Sequence, residues 1–447
     1  MNKTTLQPYL YLNRYCGAKG DVILPGSKSI SNRVLLISAL SCDDLTEIKG
    51  LLYSDDTNVM IDTLIDLGIQ IYRKSQDCIE IIGRDDFNKK CNNLFLGNAG
   101  TAFRPIVAAL SFMNGNYIIS GVPRMHERPI ADLVDSLRTL GCNINYIEKN
   151  GYPPLEIKPF IHNGSNHIFV NGSVSSQFLT ALLIASPILV KKINNSLTIE
   201  IVGKLISKPY IDITLNLMRK FGVNVENDSS NRFVIDRLSS YKSPGKILIE
   251  GDASSASYFL ALGAIGGGPV RVNGIGHDSI QGDVAFSKVL AEMGADIKIY
   301  DSYIESSGFL VSSGKKLKSF DIDFNMIPDA AMTAAVLALY ADGKCFLRNI
   351  GSWRVKETDR IHAMHTELSK FGVKVESGED WISIDPIDIS KWPEEVSIDT
   401  WDDHRMAMCF SLATFGNTKV KIMNPSCVNK TFPNYFSIYN EIIFTQR

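Results

Sequence analysis

The feature that most constrains this chain is that it repeats itself. A helix-like stretch closed by Gly and followed by a short strand-like run recurs at residues 64–71, 137–144, 218–225, 290–297 and 368–375. Glycine there fits the left-handed backbone position that ends a helix. The copies lie about 75 residues apart, a period too long for the common solenoids. A second series interleaves with the first. Its members are small polar loops running into apolar helices, beginning near Gly26, Asn98, Ser173, Asp252, Asp329 and Asp402. Six such units fill the 447 residues, the sixth lacking the Gly-strand ending. Each reads as strand, helix, strand, helix, strand, with room for one more strand, so the chain is α/β.

Length alone suggests two or three domains, at about 150 residues each. A formal net charge of −2 argues against nucleic acid as the main partner. No run approaches the roughly 18 consecutive apolar residues of a membrane span. Residues 1–15 carry neither an apolar leader core nor an Arg/Ser-rich amphipathic pattern, so a cytoplasmic protein is expected. The eight cysteines are scattered with no C-x-x-C pair and read as reduced core thiols, without a disulfide frame or zinc site.

The helix starts carry the chemistry. Backbone N–H groups at a helix N-terminus attract anions, helped by the helix dipole. Caps of Ser, Asn and Asp are common everywhere, so capping alone singles out nothing. Here, cations accompany the caps. In Leu-Pro-Gly-Ser-Lys-Ser-Ile-Ser-Asn-Arg, residues 24–33, Lys28 lies just ahead of the first turn, and Ser29 and Arg33 share a helical face. A cation at a helix N-terminus opposes the dipole and needs a reason; an anionic ligand is one. In Leu-Gly-Asn-Ala-Gly-Thr-Ala-Phe-Arg-Pro, residues 96–105, Gly97 and Gly100 let the backbone approach a ligand, and Arg104 can pair with a carboxylate or phosphate. Arg124 and Arg128 follow, as surface decoration or with one of them clamping a ligand.

Ser175, Ser176 and Gln177 offer neutral hydrogen bonds to a phosphate or polyol, or simply cap a helix; Ser207 and Tyr210 precede another. Asp329 reads, on sequence alone, as an N-cap aspartate. Lys356 and Arg360 are four apart, as on one helical face, with Glu357 beside them as a candidate acid or base. Asp402, Asp403, His404 and Arg405 come next, then Lys430. His362 and His365 could suggest a metal, but solvated helix histidines are the reading preferred here. Cations gathered at Gly- and Ser-rich helix starts in a near-neutral chain suit a ligand set with several negative charges. Neither a Walker A motif nor a G-x-G-x-x-G after a strand is present.

At these motifs, together with Val-Lys-Glu-Thr-Asp-Arg and Asp-His-Arg-Met-Ala-Met, the chain resembles the 5-enolpyruvylshikimate-3-phosphate synthases over nearly its full length. The resemblance implies two similar domains of three βαβαββ repeats each (an inside-out α/β barrel) with a ligand cleft between them. The expected division is residues 1–24 plus 252–447, and 25–251. It implies transfer of the enolpyruvyl group of phosphoenolpyruvate to the 5-hydroxyl of shikimate 3-phosphate, on the route to chorismate and the aromatic amino acids. No cofactor or metal is expected, and neither is a nucleic-acid or membrane partner; a monomer is.

Carried over residue by residue, Lys28, Ser29, Arg33, Ser175, Ser176, Gln177, Ser207, Tyr210, Asp329, Ser352 and Lys356 resemble contacts for shikimate 3-phosphate. Lys28, Asn98, Gly100, Arg128, Gln177, Arg360, Arg405 and Lys430 resemble the phosphoenolpyruvate cage, with Arg104 in support. Asp329, Glu357 and Lys28 resemble the catalytic set. Asp329 would accept the proton of the attacking hydroxyl, and Glu357 would handle the proton at the methylene carbon. Ser352 departs from the family, which usually has Asn there, and weaker shikimate 3-phosphate binding is expected. Unsubstituted Gly100 and Pro105 imply sensitivity to glyphosate. Two alternatives are an enolpyruvyl transferase acting on UDP-N-acetylglucosamine and a catalytically silent binder of phosphorylated metabolites. The first usually carries a Cys in the loop that here reads Pro-Arg-Met-His-Glu-Arg-Pro.

Overall fold

The structure, a computed structural model, describes residues 8–42, 44–84, 86–87, 91–228 and 231–445. Residues 1–7 of the N-terminal stretch lie outside them, as does the side chain of Cys91. Five helices end at the five repeat glycines: Asp55–Asp66, Ala131–Arg138, Pro209–Lys220, Phe286–Glu292 and Arg360–Ser369. Gly68, Gly141, Gly222, Gly294 and Gly372 have φ between +80° and +102°, the conformation that only glycine takes without strain. Just past them, the N–H groups of Ile69, Cys142, Val223 and Ala295 donate to carbonyls five residues back, closing each helix. The chain then turns into the strands Gln70–Arg73, Asn143–Tyr146, Val225–Asp228, Asp296–Ile299 and Lys374–Ser377.

Those strands belong to sheets of one design. Cys91–Phe95 runs parallel to Asn116–Ser120, which pairs antiparallel with Leu155–Lys158, itself antiparallel to Asn143–Tyr146. The same order is built on Leu197–Val202, Gly267–Asn273 and Cys345–Arg348. Three sheets borrow a strand from far along the chain. Gly17–Ile23 pairs parallel with Gly267–Asn273. Lys246–Leu248 pairs parallel with Leu45–Lys49, and Tyr9–Leu12 pairs antiparallel with Lys419–Met423. Tyr9–Leu12 takes the position that Leu155–Lys158 holds in its own sheet, antiparallel to the middle strand, which the sixth repeat does not fill itself.

Strands such as Asn116–Ser120 alternate buried and exposed residues, so each sheet has one wet face. The other face packs on helices that are buried nearly all round, as their apolar sequences demand. Ala253–Ile265, Ala331–Leu337 and His404–Phe410 are buried at every position. A polar seam links them, from Ser257 Oγ to Thr333 Oγ1 (2.7 Å) to Cys409 Sγ (3.7 Å). Ser176–Ile193 is long and apolar enough to cross a membrane by length and composition, but it is interrupted by polar residues and 72 % of it is buried within the protein, as in a core helix. The chain folds into two compact units: Met1–Pro25 with Gly251–Arg447, and Gly26–Glu250. The seven described cysteines are free thiols. Cys142, Cys345 and Cys409 are buried, but Cys16, Cys42, Cys78 and Cys427 are only half-buried, because they sit near element ends rather than in the core.

Candidate active site

In the unit Gly26–Glu250, helix Lys28–Ala39 starts with no acidic residue in its first turn. Lys28 is nonetheless buried, its Nζ 3.3 Å from Asp56 Oδ2 at the first turn of Asp55–Asp66. Arg33 lies one turn on and is 5 % exposed. Its Nε donates to Thr214 Oγ1 (2.9 Å), Nη1 to the Ser29 carbonyl (2.8 Å), and Nη2 to Thr180 Oγ1 and the Tyr210 carbonyl (both 3.3 Å). These bonds tie three helices together. Burial pulls the guanidinium down to about 10, with Tyr210 pulling the other way.

Gly100 opens helix Gly100–Ser111. A Cβ there would lie 2.7 Å from Arg128 Nη2 and 2.8 Å from Arg104 Nη1, so two buried guanidinium ends converge on this backbone. Arg128 Nη1 donates to the Asn98 carbonyl (3.3 Å) and Asn98 Oδ1 (3.2 Å), and Arg104 Nη2 to the Pro129 carbonyl (3.3 Å). Arg124 instead pairs with Glu127 at the surface (3.0 Å), which separates the two arginines of that loop. Ser175 caps Ser176–Ile193 by accepting the Gln177 N–H (3.2 Å). Ser207 is buried with φ +53°, the turn that leads into Pro209–Lys220 and sets the Tyr210 carbonyl toward Arg33.

In the other unit, Asp329 is the centre. It is not the N-cap that the sequence suggested: the cap position of Ala331–Leu337 is Ala330, and no side chain caps that helix. Its Oδ1 accepts from Arg360 Nη1 (3.0 Å) and lies 3.4 Å from Lys356 Nζ; its Oδ2 accepts from Arg405 Nη2 (2.9 Å). Trp353 Nε1 donates to the Pro328 carbonyl (2.7 Å) and pins the loop. Lys356 and Arg360 do not share a helix, as their spacing had suggested. Lys356 ends the 3-10 turn Gly351–Val355 and Arg360 begins the helix Arg360–Ser369, yet both reach Asp329. Arg360 also holds Glu357 Oε2 through Nη2 (2.9 Å) and Asp403 Oδ2 through Nε (2.7 Å). Asp403 caps His404–Phe410 by accepting the Arg405 N–H (2.9 Å), and Arg405 Nη1 donates to Tyr258 Oη (3.1 Å).

Burial favours a neutral Asp329, but Arg405, Lys356 and Arg360 outweigh it and hold the carboxyl well below the usual range. Burial lowers Lys356, with Asp329 opposing. Nearby Asp283, hydrogen-bonded to Ser254 Oγ, is pushed up to about 6, first by burial and then by the charge of Asp329. Lys430, on the turn Pro425–Lys430, is buried in this unit, and Ser352 is half-buried on the 3-10 turn. His362 stands edge-on to Trp401 (5.3 Å) and His365 meets Ser377 Oγ (2.9 Å). Among the described residues no cluster of His, Cys, Asp or Glu has the form of a metal site.

Asp56, Tyr258 and Asp283 belong to these clusters without having been singled out from the sequence, and Asp403 was named there without a role. Asp403 had a visible signal, an acid directly ahead of a cationic helix start. The others had none, since their partners lie far away along the chain.

A family model described as EPSP synthase (3-phosphoshikimate 1-carboxyvinyltransferase) matches residues 17–438. The 3-phosphoshikimate 1-carboxyvinyltransferase of Bordetella pertussis is 60 % identical over 422 residues, covering 94 % of this chain and 95 % of that one. The protein of the same description from Burkholderia ambifaria is 56 % identical over 429 residues, 96 % and 98 % of the two chains. Among solved structures, an EPSP synthase from Acinetobacter baumannii superposes with a TM-score of 0.78 over 98 % of both chains at 23 % identity. The enolpyruvyl transferase NikO from Streptomyces tendae does so with a TM-score of 0.73 over 98 % and 97 % at 14 % identity. These structural likenesses speak to the fold.

Proposed function

The chain belongs to the EPSP synthase (3-phosphoshikimate 1-carboxyvinyltransferase) family, and on that premise we propose how its residues divide the work of the transfer. It is a transferase of the shikimate pathway, moving the carboxyvinyl group of phosphoenolpyruvate to shikimate 3-phosphate with release of phosphate. The alternative acting on UDP-N-acetylglucosamine finds no support in relatives that carry the shikimate description at 56–60 % identity.

The observation that carries the residue assignment is the Asp329 carboxylate, held ionised by three cations with Glu357 one arginine away. In the proposed course, Glu357 delivers a proton to the methylene carbon of phosphoenolpyruvate. The 5-hydroxyl attacks the neighbouring carbon as Asp329 takes its proton. The tetrahedral adduct then loses phosphate and a methyl proton, restoring the vinyl ether. Lys28, Asn98, Gly100, Arg128, Gln177, Arg360, Arg405 and Lys430 take the phosphoenolpyruvate anion, with Arg104 supporting. Ser29, Ser175, Ser176, Gln177, Ser207, Tyr210, Ser352, Lys356 and Lys28 serve shikimate 3-phosphate. Arg33 supports them by fixing the helices that carry Ser29, Ser176 and Tyr210.

The proposal extends to a cytoplasmic monomer. It also extends to glyphosate as a competitor of phosphoenolpyruvate, because Gly100 leaves the two guanidinium ends uncovered by a side chain. Phosphate release from purified protein given phosphoenolpyruvate tests the whole. Release with shikimate 3-phosphate and none with UDP-N-acetylglucosamine is expected; the reverse would overturn it. Inhibition by glyphosate that is indifferent to phosphoenolpyruvate concentration would overturn the competitor assignment.

A further inference from the structure

The ion pairs around Asp329 link six side chains. Lys356, Arg360 and Arg405 supply three positive charges; Asp329, Glu357 and Asp403 supply three negative ones. The formal charges cancel. An incoming anion gains little from a balanced cluster unless one of its carboxylates yields its cations.

The three carboxylates differ in how easily they yield. The Asp403 side chain is 0 % exposed, with Oδ2 on Arg360 Nε and Oδ1 on the Arg405 N–H, so it is built into two elements. Glu357 is 9 % exposed and holds Arg360 through Oε2. Asp329 is the most exposed, at 15 %, and all three cations point at it. Resting on the assignment above, we propose that Asp329 occupies the anion position of this cluster, as an internal competitor that the carboxylate or phosphate of the ligand displaces.

Displacement changes the chemistry of Asp329. While it holds Arg360, Arg405 and Lys356 it is a poor proton acceptor; with those cations turned to the ligand, its proton affinity rises. The base is therefore armed by the donor substrate's own charge. The groups that face it are Arg405 from His404–Phe410, Arg360 from Arg360–Ser369, Lys356 and Glu357 from the segment between, and Asp283 from the turn Gly282–Ala285.

Inorganic sulfate, a dianion throughout the range tested, is the probe. Its affinity is measured by titration calorimetry at neutral pH on the full chain and its variants. Asp329→Asn is expected to bind sulfate about tenfold more tightly or better, because a like charge has been removed from the anion position. Asp403→Asn is expected to bind it more weakly, because Arg360 and Arg405 lose their orientation. Unchanged or weaker binding by folded Asp329→Asn would overturn the proposal.

Should Asp329→Asn fail to fold, protein bearing Asp283→Asn alone decides, with that neighbouring carboxyl removed. Sulfate binding below neutral pH, compared in two buffers of different ionisation enthalpy, is expected to take up protons; binding without proton uptake would overturn the proposal. The phosphate-release assay separates the two claims. Turnover with no tightening in Asp329→Asn leaves the family reading standing and removes this one. Tightening without turnover does the opposite.

Discussion

The arginines of the two units are held in different ways, although Lys28 of Gly26–Glu250 also meets a carboxylate, Asp56. In Gly26–Glu250, Arg33 meets two hydroxyls and two carbonyls, Arg128 an amide and a carbonyl, and Arg104 a carbonyl. In the other unit, Arg360 meets three carboxylates and Arg405 meets one. Neutral oxygens fix a guanidinium without cancelling its charge, whereas carboxylates cancel it. The proton affinities register this. Burial, opposed only by Tyr210, draws Arg33 down to about 10. At Arg360 burial works in the same direction, but Asp403, Glu357 and Asp329 reverse it and hold the group above its ordinary value. The first kind of site suits a phosphate held at rest; the second suits moving protons, because its carboxylates change affinity when an anion arrives.

The largest expected effect breaks the comparison on the proton-moving side. Asp329→Asn keeps the shape and removes the acceptor, so kcat for phosphate release should fall by about a hundred- to ten-thousandfold, the usual worth of a positioned acid or base. Arg33→Lys, in the other unit, should raise KM for shikimate 3-phosphate and leave kcat nearer the wild-type value. Steady-state kinetics with each substrate varied separates the two outcomes. A kcat loss of equal size in both variants would erase the distinction between the clusters.

Next in size is stability. Arg360→Met leaves Asp329, Glu357 and Asp403 facing one another without the cation that joins them. Removing one partner of a buried ion pair costs about 3–5 kcal/mol, to be read from urea unfolding. Thr214→Val, which deletes one neutral acceptor of Arg33, should cost about 1.5–3 kcal/mol, the range for a hydrogen bond to a charged group. Equal losses would mean that the charge of the acceptors is irrelevant to how the clusters are held.

How far the sequence reaches differs between the clusters for a physical reason. The repeat was legible because a left-handed glycine closing a helix is a local requirement, stated again at Gly68, Gly141, Gly222, Gly294 and Gly372. Lys28 and Arg104 stood out because a cation at a helix start or beside a glycine turn is unusual on local grounds. Asp329 was misread as a cap, since the residues that claim its carboxylate are remote: Arg360 is 31 positions away and Arg405 is 76. The bond from Arg405 to Tyr258 spans 147 positions, and no local pattern announces it. Lys356 and Arg360 were placed on one helix because spacing cannot show that the chain breaks between them at Asp359, the cap of the second element.

Asp283 sharpens the comparison with a smaller effect. Its ordinary value is 3.8 and it sits near 6, raised by burial and then by Asp329. The folded chain thus binds this proton more tightly than the unfolded chain. The stability gained is fully present below about pH 4 and is lost as pH rises through about 6. Asp283→Asn should flatten the slope in that window and, at neutral pH, stabilise the protein by up to about 3 kcal/mol. Urea unfolding at acid and neutral pH checks this. An unchanged slope would place the charge coupling around Asp329 elsewhere.

The smallest expected effect concerns Ser352. It is half-buried on the turn Gly351–Val355, whose Trp353 pins Pro328 and whose end is Lys356. In the proposed division, Ser352 on this turn is one of the shikimate 3-phosphate contacts. Ser352→Asn lengthens the side chain by an amide and supplies a neutral donor without disturbing any ion pair. One added hydrogen bond contributes about 0.5–1.5 kcal/mol, so Kd for shikimate 3-phosphate should tighten by a few-fold to about tenfold. The rate of the bound complex should stay as it is, since Asp329 keeps its partners. A change in kcat without a change in Kd would mean that this turn acts through the Asp329 cluster instead. It would then belong with the carboxylate-held cations rather than with the neutral ones.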